Sequence, residues 1–126
     1  EQLTGAKADI SWGEISAERY PNRPMCQAFK DNMETLGIEM KWPDPKAQYG
    51  SSDIGNVSIK IPAIHDYLSI TDDKTIQAHT KEYADAAKSE EAQEICLKGA
   101  KGLAMTGYDI FQSSFTHMAR SWVPVV

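Results

Sequence analysis

The chain has 126 residues, 41% of them hydrophobic and 25% charged, ordinary globular values that exclude a disordered or fibrous chain. That length suits one domain, or a piece of a larger one, with a modest core. A formal net charge of −5 argues against a nucleic-acid scaffold, and no apolar run approaches the roughly 18 residues of a membrane span.

The start, Glu1-Gln2-Leu3-Thr4, has no basic stretch followed by an apolar one, so no leader is expected. It also lacks a methionine, which hints at a cut or processed boundary. Ala8 to Ile15 alternates through Ala8, Ile10 and Trp12, a period of two that predicts a strand. Pro21 and Pro24 then bracket Asn22 and Arg23. Asn22 suits a helix N-cap and Pro24 the first turn, where its missing N–H would have no partner. Met25, Phe29, Met33 and Leu36 recur at spacings of one helical turn, which predicts a helix to Leu36 closed by Gly37.

Ile38, Met40 and Trp42 alternate and predict a second, short strand, stopped by Pro43-Asp44-Pro45. Lys46 to Ser52 is polar and turn-rich. Ile61 to Ile70 predicts a third strand, with Ile64 and Leu68 on one side and His65, Tyr67 and Ser69 on the other. After a polar turn at Thr71 to Lys74, Thr80 to Lys88 reads as a short helix. Ser89 can cap a last helix running to about Phe111, with Glu90 and Glu91 opposing its positive end. Its apolar residues form two neighbouring stripes, one through Ala92, Cys96, Gly99, Leu103 and Ile110, the other through Leu97, Ala100, Ala104, Tyr108 and Phe111. Gly99, Gly102 and Gly107 each weaken the helix by about 1 kcal/mol relative to alanine. Close approach of a neighbouring element would explain them. The tail from Ser121 to Val126 is apolar and unassigned. Strands and helices in this order predict an α/β fold, a small sheet covered by helices.

Four places could carry chemistry. The small, polar stretch from Tyr49 to Asn56 lets backbone N–H groups and hydroxyls approach a carboxylate or phosphate, or is an ordinary turn that favours Gly, Ser, Asp and Asn. His79, just before a predicted helix and three residues from Glu82, could face a metal or simply solvent. His65 could be functional or a hydrogen-bonded strand histidine, and His117 reads as structural or surface. Cys26 and Cys96 read as buried, reduced thiols of a cytoplasmic protein rather than a disulfide. No zinc-protease helix motif, phosphate loop, dinucleotide fingerprint, paired-cysteine motif or serine elbow is present.

Taken in order, Gly50-Ser51-Ser52-Asp53-Ile54-Gly55-Asn56-Val57-Ser58, Ile61-Pro62-Ala63-Ile64-His65, Ala78-His79-Thr80-Lys81-Glu82-Tyr83-Ala84-Asp85-Ala86-Ala87 and Lys98-Gly99-Ala100-Lys101-Gly102-Leu103-Ala104-Met105-Thr106 resemble the C-terminal part of the M-twenty metallopeptidases. The nearest branch is that of the amidohydrolases similar to aminobenzoyl-glutamate hydrolase and the aminoacylase-like dipeptidases. Arg19-Tyr20-Pro21-Asn22-Arg23-Pro24 is similar to the family's return from its lid domain into the catalytic domain. The resemblance implies that residues 1–17 hold the last strand of a lid or dimerisation domain, and 18–126 the C-terminal part of the catalytic domain.

It further implies a complete enzyme, a homodimer, that hydrolyses the amide bond of a small N-acyl amino acid or peptide substrate with two divalent metal ions, usually zinc. His79 matches the last metal ligand, and Gly50, Ser51, Ser52 and Asp53 match the loop lining the substrate pocket, with Asn56 tying that loop down. The family's upstream His-x-Asp motif, bridging aspartate and paired glutamates have no counterpart here. A single histidine does not hold zinc in a catalytic geometry, so the chain alone is expected to be inactive, to bind no metal productively and to self-associate through uncovered faces. No nucleic-acid or membrane partner is expected. The other reading, from a different class, is a stand-alone binding or assembly module derived from such an enzyme.

Overall fold

The computed structural model describes residues 3–44, 50 and 52–112. Among them are four helices: α1 (Arg23–Thr35), α2 (Ile54–Ser58), α3 (Lys81–Ala86) and α4 (Glu90–Phe111).

The start of α1 is fixed as its sequence predicts. Asn22 Oδ1 accepts the Met25 N–H at 3.0 Å, and Pro24 lies in the first turn. Asn22 is wholly buried, and its own N–H donates to the Ala63 carbonyl at 2.9 Å, fastening the helix start to the 61–70 segment. At the other end the Gly37 N–H reaches the Glu34 carbonyl and the Ile38 N–H the Met33 carbonyl, both at 3.0 Å. This paired closure needs a left-handed residue, and Gly37 supplies it at φ 77°. Thr80 and Ser89 cap α3 and α4, their hydroxyls accepting from the N–H groups of Tyr83 and Ala92.

The core lies where α1 meets α4. Phe29 and Met33 of α1 are buried there, and Ala92, Gly99, Gly102 and Thr106 are the buried residues of α4. A Cβ on Gly102 would overlap Met33 Sδ and stand 3.2 Å from Phe29 Cε2; one on Gly99 would stand 2.8 Å from Leu68 Cδ1. These two glycines allow close approach, as their place in a helix predicts. Gly107 does not, since its Cβ would meet nothing within 4 Å. A polar link closes the seam: Asn32 Nδ2 donates to Thr106 Oγ1 at 3.1 Å and to Asp109 Oδ2 at 2.8 Å. The Leu97, Tyr108 and Phe111 side of α4 is left exposed.

The expected α/β fold, a small sheet covered by helices, is overturned. Among the described residues there is no β-strand, and the regular structure is helical. Alternation is a local property, whereas a strand exists only through a repeating ladder to a neighbour. The segment 61–70 does bury every second side chain: Ile64, Asp66, Leu68 and Ile70 are half-buried, while His65, Tyr67 and Ser69 are exposed. Yet among the described residues the Asn22–Ala63 backbone bond is not continued into a ladder. Residues 8–15 are exposed throughout, including Trp12 at 91%, so the alternation there does not even sort covered from uncovered faces. No described helix is long and apolar enough to cross a membrane. The stretch 45–49, Ser51, His117 and the apolar tail lie outside the described residues.

Candidate functional site

The Gly/Ser loop leads into α2, a helix that the small, polar sequence from Tyr49 to Asn56 does not predict. Ser52 Oγ accepts the Ile54 N–H at 3.3 Å, and Asp53 occupies the N-cap position without a side-chain cap bond. The α2 helix is clasped by the chain at 15–20. Asn56 Oδ1 accepts the Ala17 N–H at 2.6 Å, and Asn56 Nδ2 donates to the Ile15 carbonyl at 3.1 Å. Buried Ser58 accepts the Tyr20 N–H at 2.8 Å and donates to the Gly55 carbonyl at 2.9 Å. Gly55 has to be glycine, because a Cβ there would overlap the Ala17 carbonyl. Asn56 thus ties α2 to residues 15–17. Of the loop residues, Gly50 and Asp53 are exposed, Ser52 is half-buried and Ser51 lies outside the described set.

His79 sits elsewhere. It is exposed and has φ 67°, the left-handed region that non-glycine residues seldom enter, histidine more readily than most. It directly precedes the Thr80 cap, so its backbone turns the chain into α3. No group of three or more His, Cys, Asp or Glu side chains able to hold a metal occurs among the described residues.

An open cleft of about 420 Å³ lies beside α2. Ile54 and Ser58 line one part of it, while Gly50, Ser52, Asp53 and His79 do not line it. Its polar wall joins Arg19, Cys26, Asp66 and Tyr67. Arg19 donates to the Tyr67 hydroxyl at 3.0 Å, and the Tyr67 ring stacks at a tilt against His65, centroids 4.9 Å apart. Asp66 is half-buried and its Oδ2 has no hydrogen-bond partner among the described residues. Burial raises its pKa, with the His65 charge pulling the other way. Burial, reinforced by the Asp66 charge and partly offset by Arg23, pushes the Cys26 thiol up to about 11. Cys26 is therefore a neutral thiol at physiological pH and not an activated nucleophile. The cysteines are both free, but Cys96 is exposed rather than buried.

The sequence reading did not single out Asp66 or the Arg19–Tyr67 pair. Asp66 left a signal: it shares parity with Ile64, Leu68 and Ile70, a carboxylate in an otherwise apolar register. The Arg19–Tyr67 contact spans 48 positions and left none.

No protein-family profile matches the chain. Two curated proteins resemble it: the Xaa-Arg dipeptidase of Mus musculus, 40% identical over 113 residues, and that of Homo sapiens, 41% identical over 92. The matches cover 85% and 71% of this chain, but 25% and 21% of those proteins. The chain spans about a quarter of the length of the curated relatives it matches. Over most of its own length, then, it is related to dipeptidases.

Proposed function

We propose that this chain is the C-terminal region of a metal-dependent amidohydrolase that cleaves the amide bond of a dipeptide or similar small substrate. The identity to proteins named Xaa-Arg dipeptidase, over 85% of the chain in one case, carries this reading. In it, residues 18–126 belong to the catalytic domain and 1–17 lead in from a lid domain, and the complete enzyme is a cytoplasmic homodimer. The loop at 50–53 lines the substrate side of that enzyme, its hydroxyls and N–H groups facing a carboxylate; the clasp of the adjoining α2 by residues 15–20, just beyond the loop's end, supports this.

The metals of this reading are two divalent ions, zinc in the first instance. The described residues do not fit such a site by themselves, because a zinc centre takes three or four protein ligands and none of their clusters offers them. His79 supplies one ligand, and the others come from outside this chain. The exposed His79 imidazole, held on a fixed left-handed turn, supports that part.

Two measurements test the proposal. Calorimetric titration of the chain with zinc is expected to give no tight, stoichiometric binding. In the longer enzyme, His79→Ala lowers bound metal and reduces amide hydrolysis by at least 100-fold, in line with loss of a first metal ligand exceeding the 10–100-fold of outer partners. A His79→Ala enzyme with full metal content and normal turnover rejects the assignment. Were no longer enzyme to contain this sequence, the stand-alone binding module would take its place.

A further inference from the structure

The hydrogen bonds of Asn56 run in two directions. Its side chain holds the entering chain, with Oδ1 accepting the Ala17 N–H at 2.6 Å and Nδ2 donating to the Ile15 carbonyl at 3.1 Å. Its own N–H donates back to the Asp53 carbonyl at 2.9 Å. Gly55 stands between the same partners. Its N–H donates to the Ser52 carbonyl at 3.3 Å, and its missing Cβ leaves room for the Ala17 carbonyl. Two adjacent residues of α2 therefore join residues 15–17 to Ser52 and Asp53, the last two residues of the loop that the proposed function puts beside the substrate.

Little else fixes these two loop residues. A helix of five residues does not persist through its own hydrogen bonds, and the Asp53 side chain makes no cap bond to α2. Asp53 is exposed and Ser52 only half-buried, so burial does not hold them either. On the other side of the joint, residues 9–14 are exposed throughout and make no hydrogen bond among the described residues, so a displacement of that arm falls on the clasp. We propose that Asn56 is a positioning residue for the substrate loop. Through Asn56 and Gly55, the placement of residues 15–17 sets the placement of the Ser52 and Asp53 backbone, and with it the affinity for substrate, although Asn56 itself does not touch the substrate. The effect on affinity rests on reading the loop as substrate-lining; the hydrogen-bonded joint does not.

The test breaks the joint from both sides. Asn56→Ala removes both side-chain bonds and leaves the Asn56 N–H in place. Ala17→Pro removes the donor on the other side, at a residue outside the loop and outside α2. Asn22→Ala, which weakens the start of α1, is the control for a general loss of stability. In the chain alone, amide exchange at positions 55 and 56 is expected to quicken by about tenfold in the first two variants, while the middle of α1 and residues 99–106 of α4 are unchanged. In the longer enzyme both variants raise KM several-fold while kcat and bound metal hold, the mark of lost binding rather than lost chemistry. Asn22→Ala leaves KM where it is. Should Asn56→Ala fail to fold, Ala17→Pro carries the same readings. The proposal is overturned if exchange at 55 and 56 does not change, if it rises equally across the whole chain, if KM does not move in an active enzyme, or if Asn22→Ala raises KM as much. A longer enzyme that hydrolyses no amide rejects the proposed activity, and the exchange readings then decide the joint by themselves.

Discussion

Asp66 carries the largest mismatch between a side chain and its surroundings. One carboxylate oxygen is buried without a partner, and burial raises the group's pKa. The folded state therefore holds the proton to higher pH than the unfolded chain does. Its relative stability from this group is greatest below the unfolded pKa and is lost as pH rises through the raised folded value. Asp66→Asn removes the charge while keeping the shape. It is expected to stabilise the chain at pH 7, because burial penalises the charged carboxylate and the neutral amide escapes that penalty. The gain should shrink toward zero near pH 3. The same variant should also bring the Cys26 thiol down from about 11, since the Asp66 charge helps to raise it. Urea denaturation across pH and thiol titration check the two; a variant equally stable to wild type at pH 7 sinks the account. At this scale the sequence was half legible. The parity of 64, 66, 68 and 70 marked Asp66 as facing inward, but the absence of a partner is a three-dimensional fact that no spacing encodes.

Helix ends were the most legible elements, because a cap is a short-range event. Asn22, Thr80, Ser89 and Gly37 each act within three to five residues of themselves, so their chemistry could be read along the chain. Helix α2 was not legible. Its five residues carry no side-chain cap bond, and it is held by backbone groups of residues 15, 17 and 20, about 40 positions away. The predicted strands failed for the converse reason: the pattern was local, and the neighbour that would make it a sheet is not among the described residues. The glycines of α4 separate the local and distant contributions in one helix. Gly107→Ala meets nothing within 4 Å and should stabilise by about 0.5–1 kcal/mol through helix propensity. Gly102→Ala gains the same propensity but collides with buried Met33 and Phe29, and overpacking costs about 1–3 kcal/mol, so a net loss of about 1 kcal/mol is expected. Equilibrium unfolding of both variants decides the matter by sign. If both substitutions stabilise, the α1–α4 seam is looser than described.

At the scale of the whole molecule, order should follow burial, and the buried apolar side chains among the described residues lie on α1 and α4. They are Phe29 and Met33 on α1 and Ala92 on α4, and the Asn32–Thr106–Asp109 link joins the two helices. Helix α3 buries no residue, and residues 3–16 are exposed throughout. Local opening costs little where few contacts are lost, so the chain should divide into one protected unit and a lightly held remainder. Amide hydrogen exchange is the direct reading. Protection is expected to be highest in the middle of α1 and across Gly99 to Thr106 of α4, with exchange near the unfolded rate at residues 3–16 and only slight protection in α3. Asn22→Ala extends the prediction from the map to its cause. Asn22 caps α1 and fastens it to the Ala63 carbonyl, and losing the cap should cost about 1–2 kcal/mol. If α1 and α4 form one unit, the variant should lower protection in both helices by the same factor, although only α1 has lost its cap. Protection lost from α1 alone would show that the two helices open separately and that the seam between them does not make them one cooperative unit.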